Sequence, residues 1–381
     1  MTGFLFLALQ QKWIIIHLAS PFQPTALSTI SPHLEMKKIS YIYHFNNNRR
    51  VHQQEILWSS DKNMCALRLI STYWNLLEDE NIINFNVTLT SACFNEHGNE
   101  LLISFSYTPF NDQQTIAMRM TILEDLLANI QPHFPQLQSV RFLVQHEPLQ
   151  DKLLEFSFSW PIQGFHNVVS GNMQKKFLIP ENCIIILNPA GDSHTPGRII
   201  GEAFERTLAL QFTQQVKEKL EQIFPLFRII ITHTIGETVS PLHIASYANN
   251  LGAHIYVHIG MYHTQSSIPE ISLYAMITNP VTDTWKYNAD NFVPFYYAHR
   301  HNIHHSHYLL ETLYSYFTVQ KSLPFHIIDK GLIPYKPLLG ISVPAIACEI
   351  GISHHDSWKH FVEPLIQALT CCINAQRASS A

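Results

Sequence analysis

The second half of the chain alternates short apolar runs with amphipathic stretches, and this alternation restricts its fold more than any other feature. The runs Ile184–Leu187, Arg228–Thr232 and Ile255–His258 are short and continuous, as buried parallel strands are. Between the first two runs, apolar residues recur at the 3.6-residue spacing of a helix from about Ala203 to Phe224. Strands that alternate with helices predict an α/β domain whose mostly parallel sheet carries helices on both faces.

The rest of this half continues the pattern, so one domain is predicted over residues 181–381. A helix is expected directly after Ser240, because its hydroxyl can cap the first turn and Pro241 suits the first helical position. The other predicted elements are two strands and a last helix, at Ile271–Met276, Pro344–Glu349 and 356–375.

A small α+β domain is predicted before it, over residues 36–160, with a linker at 161–180 that is interrupted by proline and glycine. No catalytic constellation stands out in this small domain. The predicted elements are a helix, a hairpin, a helix and a strand: 66–77, Phe85–Leu89 with Leu101–Tyr107, Thr115–Ile130 and Val140–Val144. The order of these elements is similar to that of a small domain found in sporulation and germination lipoproteins, and an unrelated α+β domain is the alternative.

Residues 1–35 have the character of a leader. Two apolar runs, 4–9 and 13–16, are split by polar residues, and neither reaches the roughly 18 apolar residues of a membrane span. Together they are compatible with an export signal, although no basic residues precede them. Export would place the protein in the periplasm or cell envelope. A second start at Met36 is the alternative for the leader, and without export the protein is cytoplasmic.

The composition excludes some classes of function. The net charge of −5 provides no basic surface, so nucleic acid is not an expected partner. The six cysteines include no CxxC pair, and a thiolate zinc site is therefore not predicted. With 23 histidines in the chain, a single histidine is weak evidence for a site.

Three polar residues stand where functional groups gather in a parallel sheet, at strand ends and helix starts. Glu205 opens a helix, where a carboxylate is also favoured by the helix dipole. His258 follows the apolar run Ile255–Val257, and a core histidine bonded to a carbonyl is the alternative. Glu349 is the most informative of the three, because a carboxylate at the end of a buried strand is costly unless it is paired or used.

The order of these residues and their neighbours resembles the zinc-dependent N-acetylmuramoyl-L-alanine amidases. That family opens its domain with Asp-Pro-Gly-His-Gly-Gly and a later Pro-Gly, where this chain has Asn188-Pro189-Ala190-Gly191-Asp192-Ser193 and Pro196-Gly197. The family then has a glutamate that opens a helix and a strand with a histidine, matched here by Glu205 and His258. Its closing Pro-x-x-x-x-Glu-x-Gly strand matches Pro344–Gly351.

The resemblance implies a set of roles. His258 and Glu205 would be zinc ligands, and Glu349 would be the general base. Three nitrogen and oxygen ligands leave a fourth position for water, which zinc activates. The bond cut would be the amide between N-acetylmuramic acid and L-Ala of peptidoglycan, with the glutamate moving the proton to the leaving amine.

The sequence departs from the family at the first zinc ligand. The family's first histidine falls on Gly191, which has no side chain to bind a metal, and the motif aspartate is Asn188. Asp192 or His194 could take the vacant place if the loop is rebuilt. Two hypotheses follow, a zinc-dependent peptidoglycan amidase and an inactive amidase-like module that binds peptidoglycan or a partner protein such as a regulator.

A second group of histidines lies between residues 299 and 307. Some of them have helix-face spacing that suits a metal, whereas a polar helix face is the alternative, favoured because no carboxylate lies within the group. Its members are His299, His301, His304, His305 and His307.

Overall fold

The computed structural model describes residues 34–45, 48–83, 87–165, 179–277, 293–320 and 322–378. They form an N-terminal unit (34–165) and a C-terminal unit (179–378), each built on a sheet with helices, and the predicted fold class is confirmed. The leader up to residue 33 and most of the expected linker, 166–178, lie outside the described residues.

The N-terminal unit begins with a hairpin that the sequence pattern did not predict. Strands β1 (Glu35–Phe45) and β2 (Asn48–Trp58) pair antiparallel along their whole length. Residues 48–55 of β2 are all exposed, so this strand has no alternation of apolar and polar residues. Periodicity therefore gave no signal for it.

The rest of this unit follows the predicted order. Of the predicted strand Phe85–Leu89, residues 85 and 86 lie outside the described residues, and the described strand runs over Leu89–Phe94, next to the 95–99 turn. The last two-residue strand also enters the expected linker at Pro161. The sheet order is β3-β4-β5-β6, with β7 on β5. The elements are α1 (Lys62–Asp79), β3 (Leu89–Phe94), β4 (Glu100–Phe105), α2 (Ile116–Ile130), a 3-10 turn (Gln131–His133), β5 (Ser139–Val144), β6 (Glu147–Pro148) and β7 (Trp160–Pro161).

The strands of the C-terminal unit are β8 (Ile184–Pro189), β9 (Ile199–Ile200), β10 (Ala203–Phe204), β11 (Arg228–Ile231), β12 (Ile255–His263), β13 (Glu270–Met276), β14 (His326–Ile333) and β15 (Ala345–Ile352). Strands β9 and β10 form a separate short pair, and the other six form a sheet with the order β11-β8-β12-β15-β13-β14. All neighbouring pairs in this sheet are parallel except β13 with β15, so the sheet is mostly parallel. The helices are α3 (Glu205–Ile223), α4 (Pro241–Asn250), α5 (Ile303–Val319) and α6 (Lys359–Ala378), with 3-10 turns at Phe295–Asn302 and Lys336–Leu338.

The two faces of this sheet are covered differently. Helices α3, α5 and α6 pack on one face and share a core with alternate strand residues such as Val257 and Cys348. The opposite face carries Tyr256 and Ala347, and its core is continuous with that of the N-terminal unit and with α4. Because strand side chains alternate between faces, His258 and Glu349 belong to the face that meets the N-terminal unit.

Two predicted strand ends need correction, and one strand was not predicted. The strand that contains His258 was expected to end there, but β12 runs on to His263 because its second half pairs with β15. The strand that contains Glu349 was also expected to end there, but β15 runs on to Ile352. His258 and Glu349 are therefore both in the middle of a strand. Strand β14 was not predicted, because its residues are mostly part-exposed and lack a continuous apolar run. Within the described residues, no helix is long and apolar enough to cross a membrane.

Candidate functional site

His258 is held by the neighbouring strand. Its Nδ1 lies 2.9 Å from Nδ2 of Asn188, its register partner on β8. The Asn188 amide nitrogen can only donate, so Nδ1 accepts and the ring proton is on Nε2. Burial is the main cause that lowers the pKa of His258 to about 3, which keeps the ring neutral near pH 7. Neither ring nitrogen then has a free lone pair for a metal.

Glu205 is the first residue of α3, as predicted, and it is buried. Strand β12 extends beyond the end of β8, and its Met261 backbone N–H donates to Oε1 of Glu205 over 2.8 Å. The remaining bonds to this carboxylate come from Arg198. Its backbone N–H and Nε donate to Oε2 at 3.0 and 3.1 Å, and its Nη2 donates to Oε1 at 2.8 Å.

Glu349 lies in the middle of β15 and is 2% exposed. Its Oε2 accepts from Nη2 of Arg198 over 2.6 Å, and its Oε1 accepts from the Tyr335 hydroxyl over 2.6 Å. The carboxyl group lies over Gly260 of β12, where an added Cβ would stand 1.9 Å from Oε1. Glycine at position 260 is what leaves room for Glu349.

Arg198 is therefore the centre of the cluster. One nitrogen, Nη2, bonds both Glu205 and Glu349, and the side chain is 3% exposed. The two carboxylates that the resemblance assigns as zinc ligand and general base are bridged by this guanidinium. Arg198 was not among the residues singled out from the sequence.

The charges of the cluster are set by burial and by these contacts. Burial lowers the pKa of Arg198, but Glu205 and Glu349 raise it more, and the net pKa lies well above its ordinary value. Burial raises the pKa of Glu205, yet Arg198 outweighs it and the net pKa is lowered. For Glu349 burial prevails and the pKa is raised, with Arg198 opposing and Glu205 adding to the rise. Arg198 therefore favours the ionised form of Glu205, and their ion pair is stronger than the one between Arg198 and Glu349.

Tyr335 is positioned by the N-terminal unit. It forms an isolated antiparallel bridge with Leu154, and the backbone N–H of Lys336 donates to the Leu153 carbonyl over 2.7 Å. The Lys336 ammonium also donates to the Asp151 carbonyl over 2.9 Å. Burial raises the pKa of Tyr335 well above its ordinary value, so its hydroxyl stays protonated and donates to Glu349.

The conformation of the loop after β8 leaves no room for a side chain at position 191. Gly191 has a φ of +78°, and a Cβ there would meet Cβ of Arg206 at 2.8 Å. Its carbonyl accepts from Nε2 of His233 over 2.8 Å. The position to which the resemblance assigns the first zinc histidine therefore excludes a histidine in this conformation.

Asp192 and His194, the two candidate replacement ligands, are engaged differently. Oδ1 of Asp192 accepts from the backbone N–H groups of His194 and Thr195 at 2.9 and 2.7 Å, and from the Thr195 hydroxyl at 2.7 Å. Burial raises its pKa, but these bonds together outweigh burial and the net pKa is lowered. His194 is exposed. The contacts of Asp192 thus stabilise its own loop.

These donors do not fit zinc as they are arranged. Among the described ranges, no three His, Cys, Asp or Glu side chains are placed to hold a metal ion. Both oxygens of Glu205 are bonded, the lone pair of His258 Nδ1 is used by Asn188, and a guanidinium bridges the two carboxylates. A zinc centre with Glu205 and His258 as ligands would require Arg198 to leave.

A cleft with a volume of about 620 Å³ opens beside the cluster. Both units contribute to its wall, with Arg119 and Asp151 from the N-terminal unit facing α4 and the 189–198 loop. Glu205, His258, Arg198 and Tyr335 also line it, whereas Glu349 is not among the described lining residues. The predicted general base is thus set behind Arg198 and Tyr335.

The histidines between 299 and 307 do not form a second centre in the part of the chain that the structure describes. His299 is buried, and His307 donates from Nε2 to the Met276 carbonyl over 3.0 Å. His305 contacts Oδ1 of Asn302 over 2.7 Å. These contacts join the start of α5 to its surroundings.

Comparison with known proteins gave similar structures only. No family model matches the chain, and no curated protein matches it by sequence. The catalytic domain of the amidase CwlV from Bacillus (Paenibacillus) polymyxa is similar over 49% of this chain and 96% of its own, at 14% identity and a TM-score of 0.36. An N-acetylmuramoyl-L-alanine amidase of Clostridium difficile 630 (51% and 98% covered, 15% identity, TM-score 0.34) and Ami1 of Mycobacterium smegmatis (51% and 97%, 10%, 0.36) are similar to the same degree. At these scores the likeness establishes neither family membership nor a shared activity.

Proposed function

We propose that the C-terminal unit is an amidase-like module that binds peptidoglycan fragments in the cleft and does not hydrolyse them. The observation that carries the proposal is the state of Glu349. Both of its oxygens are bonded, by Arg198 and Tyr335, and these two side chains separate it from the cleft wall. A general base must reach the proton that it removes, either directly or through one water.

The peptidoglycan ligand is proposed from the sequence resemblance, and the cleft is compatible with it. Its size falls within the range of pockets that hold small molecules and fragments of polymers. Since peptidoglycan lies outside the cytoplasm, the proposal includes export through residues 1–35. A partner protein that docks on the same cleft is the alternative ligand.

Binding and hydrolysis can be separated with purified cell-wall sacculi and the full chain. We expect the protein to sediment with sacculi and to release no new amino groups of L-Ala, with or without added zinc. Ile244 of α4 lines the cleft, so Ile244→Arg should weaken sedimentation about tenfold, which corresponds to about 1.4 kcal/mol. Leu242→Arg is the matched control, because Leu242 lies on the same helix, is 55% exposed and is not among the cleft-lining residues.

Three outcomes of the same assay would contradict the proposed function. Release of amino groups that depends on zinc and disappears in Glu349→Gln would establish the hydrolase instead. Failure of the unaltered chain to sediment would remove the peptidoglycan ligand. Equal loss in Ile244→Arg and Leu242→Arg would show that the cleft is not where binding occurs.

A further inference from the structure

Arg198 sits in the cluster as a metal ion would sit between two carboxylates. Its guanidinium approaches Glu205 with two parallel bonds, Nε to Oε2 at 3.1 Å and Nη2 to Oε1 at 2.8 Å. The same Nη2 reaches Glu349 at 2.6 Å. This fork geometry is the one in which a guanidinium binds a carboxylate most strongly.

The chain is shaped locally to bring Arg198 there. Gly197, directly before it, has a φ of +78°, and a Cβ at this position would stand 2.6 Å from Oε2 of Glu205. The turn therefore requires glycine, both for its backbone conformation and for the approach of the carboxylate. Through this turn the backbone N–H of Arg198 bonds the same Oε2 over 3.0 Å.

Two buried carboxylates cannot be kept without a positive partner, because each loses its hydration on folding. Within the described residues, Arg198 is the only Lys or Arg that bonds Glu205 or Glu349. The cluster therefore resembles a cation-binding site in which two carboxylates bind the guanidinium of Arg198 in place of a free cation.

We propose that Arg198 is a tethered cation that closes a cation-binding site formed by Glu205, Glu349 and Tyr335, and that removing its side chain opens this site to a free cation. Guanidinium ion would restore the lost bonds to Glu205 and Glu349. The inference rests on the proposed function in one respect, since both require Arg198 to be in place in the unaltered protein.

The experiment compares Arg198→Ala with Arg206→Ala and with the unaltered chain. Arg206 is a matched control, because its side chain donates to the carbonyls of Asp192 and Ser193 and lies over the Phe204 ring, and among the described residues it bonds neither Glu205 nor Glu349. The probes are guanidinium chloride at low millimolar concentration and sodium chloride at equal ionic strength. We expect guanidinium to raise the Tm of Arg198→Ala alone by a few degrees, since a ligand that binds only the folded state stabilises it. Elemental analysis should find no zinc in the unaltered chain.

Several results would overturn the proposal. One is zinc bound by the unaltered chain and lost in His258→Ala, which would mean that Arg198 does not hold the site. Another is a folded Arg198→Ala whose Tm does not respond to guanidinium. If that variant is recovered unfolded, it is refolded with and without guanidinium, and rescue supports the tethered cation whereas failure overturns it. These outcomes are independent of sedimentation with sacculi, so either proposal can fail alone.

Discussion

Two buried arginines line the cleft, Arg119 from the N-terminal unit and Arg198 from the C-terminal unit. They differ in the groups that they bond. Arg119 of α2 pairs with one carboxylate, Asp151, and donates from Nη2 to the Asn111 carbonyl over 2.7 Å. Arg198 pairs with two carboxylates and no carbonyl. Both side chains are almost fully buried, and both line the same cleft.

The difference between them is visible in their charge balance. Burial lowers the pKa of Arg119, Asp151 only partly offsets it, and the charge of Arg198 lowers it further. For Arg198 the two glutamates more than offset burial, and its pKa is raised. Arg119 therefore joins two loops of the N-terminal unit, whereas Arg198 neutralises a site. The buried guanidinium of Arg119 connects backbone segments, whereas that of Arg198 neutralises buried carboxylates.

The largest expected effect is on stability, when each arginine is replaced by methionine. Arg198→Met leaves two buried carboxylates without a cation and should cost about 3–5 kcal/mol of unfolding free energy. Arg119→Met should cost about 2 kcal/mol, because Oδ1 of Asp151 keeps the backbone N–H groups of Leu153 and Leu154 at 2.8 and 2.7 Å. Urea unfolding of both variants measures the two losses of unfolding free energy. Equal losses would show that the two arginines do not differ in their contribution to stability.

A smaller effect tests whether one substitution can convert the site around Arg198 into a metal centre. Gly191→His should lower the unfolding free energy by about 3 kcal/mol, because a left-handed backbone and the contact with Arg206 both oppose a side chain. It should not confer zinc binding while Arg198 is present. A stable Gly191→His protein that takes up zinc would show that the loop is rebuilt easily. Gly201→His is the control, since Gly201 also has a positive φ but nothing lies within 4 Å of its Cβ position.

The smallest effect is a pH dependence carried by Glu349. Its pKa is raised above the ordinary 4.5, so its contribution to stability is full below that pH and is lost as pH rises through its folded pKa. The lowered pKa of Glu205 acts in the opposite sense, since its contribution is lost as pH falls below the ordinary value. The stability of the unaltered chain relative to Glu349→Gln should therefore fall above pH 4.5, by at most about 1.4 kcal/mol per pH unit. A difference that does not change with pH would contradict the raised pKa.

The sequence was informative where one short stretch determines an element. Continuous apolar runs predicted β8, β11 and β12, and Ser240 does cap α4 by accepting from the His243 N–H over 3.3 Å. The β1–β2 hairpin was missed, since strand pairing there leaves most of β2 exposed. Periodicity reports burial on one face, and β2 buries too little to show it.

The candidate site was predictable only in part, for a related reason. Glu205 was singled out correctly as the first residue of a helix, whereas His258 and Glu349 were singled out at predicted strand ends and lie in the middle of strands. The roles that the resemblance assigns to all three remain predictions. Arg198 escaped notice because it lies in a loop, and its partner Glu349 is 151 residues away along the chain. The sequence held one weak signal for Arg198. It follows the turn residues Pro196-Gly197, and it is the one Asp, Glu, Lys or Arg between Ser193 and Gly201. Tyr335 gave no such signal, because its place depends on the N-terminal unit.

The glycine beneath Glu349 couples an uncharged position of β12 to the charge cluster. A side chain at position 260 would displace the Glu349 carboxyl, because an added Cβ would stand 1.9 Å from its Oε1. The displaced carboxyl would lose its bonds to Nη2 of Arg198 and to the Tyr335 hydroxyl. A substitution at this glycine therefore alters the charge cluster even though it replaces no charged residue.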